Sequence, residues 1–133
     1  MANETRVPIN SDVDIVTARE RGRALAAQLG SSTTDQTLLA TAISEIARNI
    51  VEYAKHGEIV LTAMRNGQKR GIVVIARDEG PGIPDIQLAM QDGYSTRQSL
   101  GIGLPGARRL MDEFEIASEV GKGTTVAMKK WIR

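Results

Sequence analysis

An α+β fold, a two-layer sandwich of a mostly antiparallel sheet with helices on one face, is predicted by three observations. Strand-like runs come in pairs around hairpin signals, two helical patterns follow one another early in the chain, and a third, short one separates the last two strand pairs. At 133 residues the chain suits a single domain, 1–133, able to bury a core without staples.

Residues 4–9 read as a short strand. Ser11 with Asp14 three residues on starts a helix in the manner of a capping box. Its apolar positions, Ile15, Ala18, Gly22, Leu25, Ala26 and Leu29, recur at helical spacing, and Gly30 is suited to end it in a left-handed conformation. Thr33 with Gln36 opens a second helix expected to reach about Lys55, with Gly57 as its stop. Segments 58–65 and 71–77 flank Asn66-Gly67, a hairpin signal because both residue types tolerate positive φ. Residues 79–103 then lose all period and fill with Gly, Pro, Asp, Ser and Gln, as a functional lid or a disordered segment does. Pro105 suits the first turn of a helix running to about Glu113. Segments 115–120 and 124–131 close the chain as a hairpin around Gly121-Lys122-Gly123.

Composition narrows the function. There is no cysteine, so no disulfide or thiolate metal site. With no signal peptide and no apolar run long enough to span a bilayer, the expected compartment is cytoplasmic and no membrane partner is expected. An aromatic content of 3% supplies no base-stacking platform, and basic residues are scattered among acids, so a nucleic-acid partner is not expected either.

Chemistry concentrates in four places. Asp78-Glu79-Gly80-Pro81-Gly82-Ile83 follows the apolar run Ile72-Val73-Val74-Ile75-Ala76, so a buried strand hands a carboxylate to a loop whose glycines admit close approach. On the second helix Ile43, Ile46, Ala47, Ile50, Val51 and Ala54 form an apolar stripe. Glu45 and Asn49, four apart, share another face with Leu38, Ala42 and Tyr53. A half-polar face beside a core stripe suits one wall of a pocket, and equally a solvated surface. Gly101-Ile102-Gly103-Leu104-Pro105-Gly106 fits G-x-G-x-x-G, but a polar segment precedes it instead of a buried strand, so a nicotinamide-binding domain is not expected. Two glycines before a helix still let backbone N–H groups face a polyphosphate. Gly123-Thr124-Thr125 is the fourth: with a period of two, Thr124, Val126 and Met128 share one face and Thr125 points away. His56, the one histidine, leaves no metal triad or Ser-His-Asp arrangement and is expected to cap the second helix.

Glu45-x-x-x-Asn49, Asp78-x-Gly80-x-Gly82, Gly101-x-Gly103-Leu104 and Gly123-Thr124-Thr125, in that order, resemble the Bergerat-fold (GHKL) ATPase and kinase superfamily over nearly the whole chain. Asp78 to Ile83 and Gly103 to Phe114 look like its anti-sigma-factor-type kinases, nearest to the stressosome serine/threonine kinases. The resemblance implies ATP and Mg²⁺ as cofactors and a lid over about 79–103. Asp78 would accept a hydrogen bond from the adenine amino group, Thr124 would support the same ring, and Gly80, Gly82 and Ile83 would line it. Asn49 would reach Mg²⁺, and Gly101, Gly103 and Leu104 would let the lid fold over the phosphates, with Arg97 on the γ-phosphate. Glu45 would be the general base. The implied partners are STAS-domain substrates, the antagonist and scaffold of a stressosome, and a PP2C-type phosphatase activated on release. An anti-sigma factor holding a sigma factor, or a switch that binds ATP without consuming it, would share this site.

Overall fold

A computed structural model of the chain describes residues 4–83, 90 and 103–132. The strands are β1 (Glu4–Ile9), β2 (Gly57–Asn66), β3 (Lys69–Asp78), β4 (Glu113–Glu119) and β5 (Gly123–Ile132), and the helices are α1 (Asp12–Gln28), α2 (Thr33–Asn49) and α3 (Gly103–Leu110). One sheet carries the strands in the order β1-β2-β3-β5-β4, with every neighbouring pair antiparallel. The helices cover one face, as expected of the Bergerat arrangement.

Strand alternation builds the floor of the core. Ile72, Val74 and Ala76 on β3 and Thr124, Val126 and Met128 on β5 are buried toward the helices, whereas Thr125 is exposed. From above, α2 lowers Leu39, Ile43 and Ile46 onto this floor, and Ile50, just after it, does the same. Each such side chain contributes about 1.5–3 kcal/mol when fully buried. That outweighs the poor helix propensity of a segment rich in Thr and Ser, whose hydroxyls bond back along the helix: Thr37 to Thr33 O, Thr41 to Thr37 O and Ser44 to Ala40 O, at 2.9–3.0 Å. Where α1 crosses α2, a Cβ on Gly22 would lie 2.2 Å from Ile43 Cδ1, so the two helices approach closely at that glycine.

Several boundaries differ from expectation. The N-cap of α2 is Ser32, whose hydroxyl accepts the Asp35 N–H at 3.1 Å; Thr33 is the first helical residue. At its other end α2 does not run on as an α-helix but passes into a π turn, Ile50–Ala54, and the left-handed residue that stops it is Lys55, at φ 74°, instead of Gly57. Gly57 is required for a different reason. It opens β2, and a Cβ there would lie 2.5 Å from Arg77 O and 2.8 Å from Ile50 Cγ2. The β2–β3 turn is Gly67-Gln68, since Asn66 pairs with Lys69. With Gly67 at φ 65° as the first of two turn residues, this is the position where a type II′ turn takes its glycine. Helix α3 ends at Leu110, because Glu113 already pairs with Lys129 in the sheet. His56 does not cap α2; its Nδ1 lies 2.9 Å from Asn10 Oδ1, linking the β1–α1 turn to the start of β2. Among the described residues no helix is long and apolar enough to cross a membrane.

Candidate active site

Asp78 is the last residue of β3 and lies opposite Thr124, the second residue of β5, on the helix-facing side of the sheet. Its Oδ1 accepts the Gly80 N–H at 2.9 Å, closing an Asx-type turn, and the Thr124 N–H at 3.2 Å. Both bonds fall on Oδ1. Among the described residues Oδ2 has no hydrogen-bond partner, which leaves a fixed carboxylate oxygen able to accept a donor from a ligand.

Glycine brings three chain segments to this point. A Cβ on Gly80 would lie 2.6 Å from Ala54 Cβ, so the loop after β3 runs directly under the π turn. A Cβ on Gly123, at φ 126°, would lie 2.0 Å from Asp78 O. Gly82 sits against the β4–β5 turn, and Gly121 donates its N–H to Pro81 O at 2.9 Å. Residues 79–83, the near end of the expected lid, are thus attached to the β4–β5 hairpin.

One residue of this cluster went unrecognised in the sequence. Ser118 Oγ receives the Ile83 N–H at 2.7 Å, donates to Gly123 O at 3.1 Å and lies 2.8 Å from Thr124 Oγ1. It was detectable in principle, because Phe114, Ile116 and Ser118 alternate with exposed residues along β4, and a lone hydroxyl on an inward row needs partners.

The second wall comes from α2. Glu45 is buried, at 9% exposure, so it is not a solvated helix residue. Its Oε1 accepts the N–H of Gly103, the first residue of α3, at 2.9 Å, and its Oε2 forms an ion pair with Arg48, one turn on and half-exposed. Asn49 is half-buried at the end of α2, and its carboxamide has no hydrogen bond to any described residue. The two walls meet through the residues after Asn49: Ile50 and Asp78 both crowd Gly57, and Ala54 crowds Gly80. Asp78, Gly80, Gly82, Ile83 and Thr124 therefore form one cluster, while Glu45, Asn49, Gly103 and Leu104 form the adjoining one. Leu104 has its side chain in the core, so only its backbone can face a ligand. Arg97 and Gly101 lie outside the described residues.

These features suit a purine nucleotide. At one end Asp78 Oδ2, without a hydrogen-bond partner among the described residues, lies on the residue paired with the buried Thr124, and at the other Asn49, likewise without one, follows Glu45 by one helical turn. No three acidic or histidine side chains cluster among the described residues. Asn49 alone is a sparse donor set, of the kind sufficient for Mg²⁺ that takes its other ligands from phosphates and water.

Residues 10–130 match the family described as Histidine kinase-like ATPase domain, and the chain belongs to that family. Within it, the chain is 49% identical over 133 residues, the full length of both, to the Serine/threonine-protein kinase RsbT of Bacillus subtilis (strain 168). It is 40% identical over 121 residues to the Anti-sigma F factor of Thermoanaerobacter sp. (strain X514), covering 86% of this chain and 83% of that one. Two solved structures share the fold. The RsbU and RsbW domains of Rv1364c from Mycobacterium tuberculosis superpose with a TM-score of 0.64 at 23% identity, over 100% of this chain and 33% of that one. The mycobacterial sensor histidine kinase MprB does so at 0.57 and 15%, over 98% of each. The chain is closely related to RsbT-type kinases, and serine/threonine kinase activity is the activity this kinship supports.

Proposed function

We propose that this chain uses Mg-ATP to phosphorylate serine or threonine on STAS-domain proteins, the antagonist and scaffold of a stressosome, and on release binds and activates a PP2C-type phosphatase. The observation that carries the reading is the pairing of Asp78 with Thr124 beneath the helix that bears Glu45 and Asn49. Asp78 Oδ2 accepts the adenine amino group, and Thr124, Gly80, Gly82 and Ile83 surround the ring. Asn49 would hold Mg²⁺ through its side-chain oxygen, and Gly101, Gly103, Leu104 and Arg97 are the residues proposed for the phosphates, Arg97 for the γ-phosphate. Bound Mg²⁺ neutralises charge on the phosphates during transfer.

Glu45 is the general base. It takes the proton of the acceptor hydroxyl at Oε1, on the lone pair that the Gly103 N–H does not use, as the hydroxyl oxygen bonds to the γ-phosphorus and the bond to ADP breaks. Arg48 keeps the carboxylate oriented meanwhile. The partner-switching part of the proposal is supported by the full-length likeness to RsbT.

The test is transfer of radiolabelled γ-phosphate to a purified STAS-domain protein, followed by capture of the released chain on a PP2C-type phosphatase. Labelled STAS protein and a stimulated phosphatase support the proposal; ATP turnover that labels neither antagonist nor scaffold contradicts it. The 40% identity to an anti-sigma F factor supports a second reading, in which a sigma factor is the principal ligand. Recovery of a sigma factor as a stoichiometric partner would favour it, and nucleotide binding with no transfer to any partner would favour a non-enzymatic switch.

A further inference from the structure

We propose that Ser118 is a specificity-determining residue for the nucleotide base: it fixes the Thr124 hydroxyl as a hydrogen-bond acceptor, so that the wall at Asp78 presents acceptors alone and selects a 6-amino over a 6-oxo purine. The inference rests on the nucleotide reading above, and it follows from counting protons.

A serine hydroxyl has one proton to donate and two lone pairs. Ser118 Oγ has three partners. Ile83 reaches it with an N–H at 2.7 Å and can only donate; Gly123 O, at 3.1 Å, can only accept. Ser118 thus gives its proton to Gly123 O and uses one lone pair on Ile83. With that proton on Gly123 O, the third contact, Thr124 Oγ1 at 2.8 Å, is a bond that Ser118 accepts. Any other assignment leaves the Gly123 carbonyl without this donor or sets two oxygens 2.8 Å apart with no proton between them. Thr124 is 6% exposed, and Ser118 is the one hydrogen-bond partner of its hydroxyl among the described residues. Its proton is committed to Ser118, and only lone pairs remain for a ligand.

Next to it, Asp78 Oδ1 is engaged by the N–H groups of Gly80 and Thr124, and Oδ2 is an acceptor. An exocyclic amino group, with two protons to donate, satisfies both oxygens. A 6-oxo group facing them would leave buried acceptors unpaired, the situation that gives polar sites their strongest discrimination. Removing Ser118 releases the Thr124 proton, so that this hydroxyl can turn and donate to a 6-oxo group.

The experiment measures binding of ATP and of inosine triphosphate, which replaces the 6-amino group by a 6-oxo group, to the full chain and to Ser118→Ala, Thr124→Val and the double variant. Wild type is expected to prefer ATP. Ser118→Ala is expected to reduce that preference by about tenfold, the scale of one neutral hydrogen bond. In the Thr124→Val background the same Ser118→Ala change is expected to leave the preference unaltered, because there is no hydroxyl left to reorient. An unchanged preference in the single Ser118→Ala variant, or an equal change in both backgrounds, would overturn the proposal. If the serine variant does not fold, the wild-type and Thr124→Val proteins still test it: an acceptor-only Thr124 requires Thr124→Val to weaken ATP and leave inosine triphosphate unweakened, and a loss falling equally on both overturns it. Binding of neither nucleotide by folded wild-type protein would instead remove the nucleotide reading itself.

Discussion

Glu45 on α2 and Gly103 at the start of α3 are joined by a 2.9 Å hydrogen bond, so the carboxylate proposed for proton transfer also fixes the first residue of the helix proposed to border the phosphates. The two tasks can be separated. Glu45→Gln keeps an oxygen for the Gly103 N–H and loses the basic group, whereas Glu45→Ala loses both. Phosphotransfer is expected to fall by about 10² to 10⁴ in either variant. Thermal melting should distinguish them, with Glu45→Ala less stable than Glu45→Gln by about 1 kcal/mol for the missing hydrogen bond. Glu45→Gln with near-normal transfer would remove Glu45 as the base.

Asn49 is assigned to the metal and not to the base. Asn49→Ala is therefore expected to abolish most of the Mg²⁺-dependent gain in nucleotide affinity and to leave affinity in excess chelator unchanged. Titration calorimetry with and without Mg²⁺ measures both, and an equal loss under the two conditions would contradict the assignment.

Gly121 and Gly123 both have positive φ but differ in surroundings. Alanine at Gly121, with no atom within 4 Å of its Cβ, should cost about 1–2 kcal/mol for the left-handed conformation alone. Alanine at Gly123 would meet Asp78 O at 2.0 Å, and should cost more and weaken nucleotide binding by displacing Asp78 from Thr124. Denaturant midpoints and nucleotide affinity for the two variants provide the comparison; equal effects would contradict the close approach.

Lys130 ties β5 to two helix ends. It is buried on β5, donates to Leu110 O at the end of α3 at 3.1 Å and lies 3.9 Å from Asp35 in the first turn of α2. Lys130→Met preserves length and removes the donor. A loss of about 1–3 kcal/mol is expected, from an unpaired carbonyl and a half-covered carboxylate without its cation. A variant as stable as the wild type in urea would show that the contacts contribute nothing net.

Much of this architecture is legible in the sequence because it follows from short-range rules. The inward position of Thr124 follows from a period of two, and the start of α1 from Asp14, whose carboxylate accepts the N–H of Ser11 at 3.1 Å. What escaped is decided by contacts distant in sequence. Asn66-Gly67 reads as the turn, yet the ladder is set at its other end, where Gly57 must lie opposite Asp78; a turn at Asn66-Gly67 would slide that pair apart. The stop of α2 escaped because Lys55 has no intrinsic preference for the left-handed region. The π turn that forces it there brings Ala54 onto Gly80. Ser118 escaped because its importance depends on Ile83, 35 residues away, as much as on its neighbours Gly123 and Thr124. Glu45 and Asn49 were readable as pocket or as surface, and the burial of Glu45 excludes a solvated position for that residue.

The central claim, that the space beside Asp78 is a purine site, is tested most directly by ATP binding to Asp78→Asn. Asparagine with its oxygen toward Gly80 and Thr124 keeps both of those hydrogen bonds and presents an NH₂ group where Oδ2 had been an acceptor. Calorimetry is predicted to give an ATP affinity lower by about tenfold or more, with a melting temperature close to that of the wild type. Undiminished ATP binding by a folded Asp78→Asn protein would contradict the account.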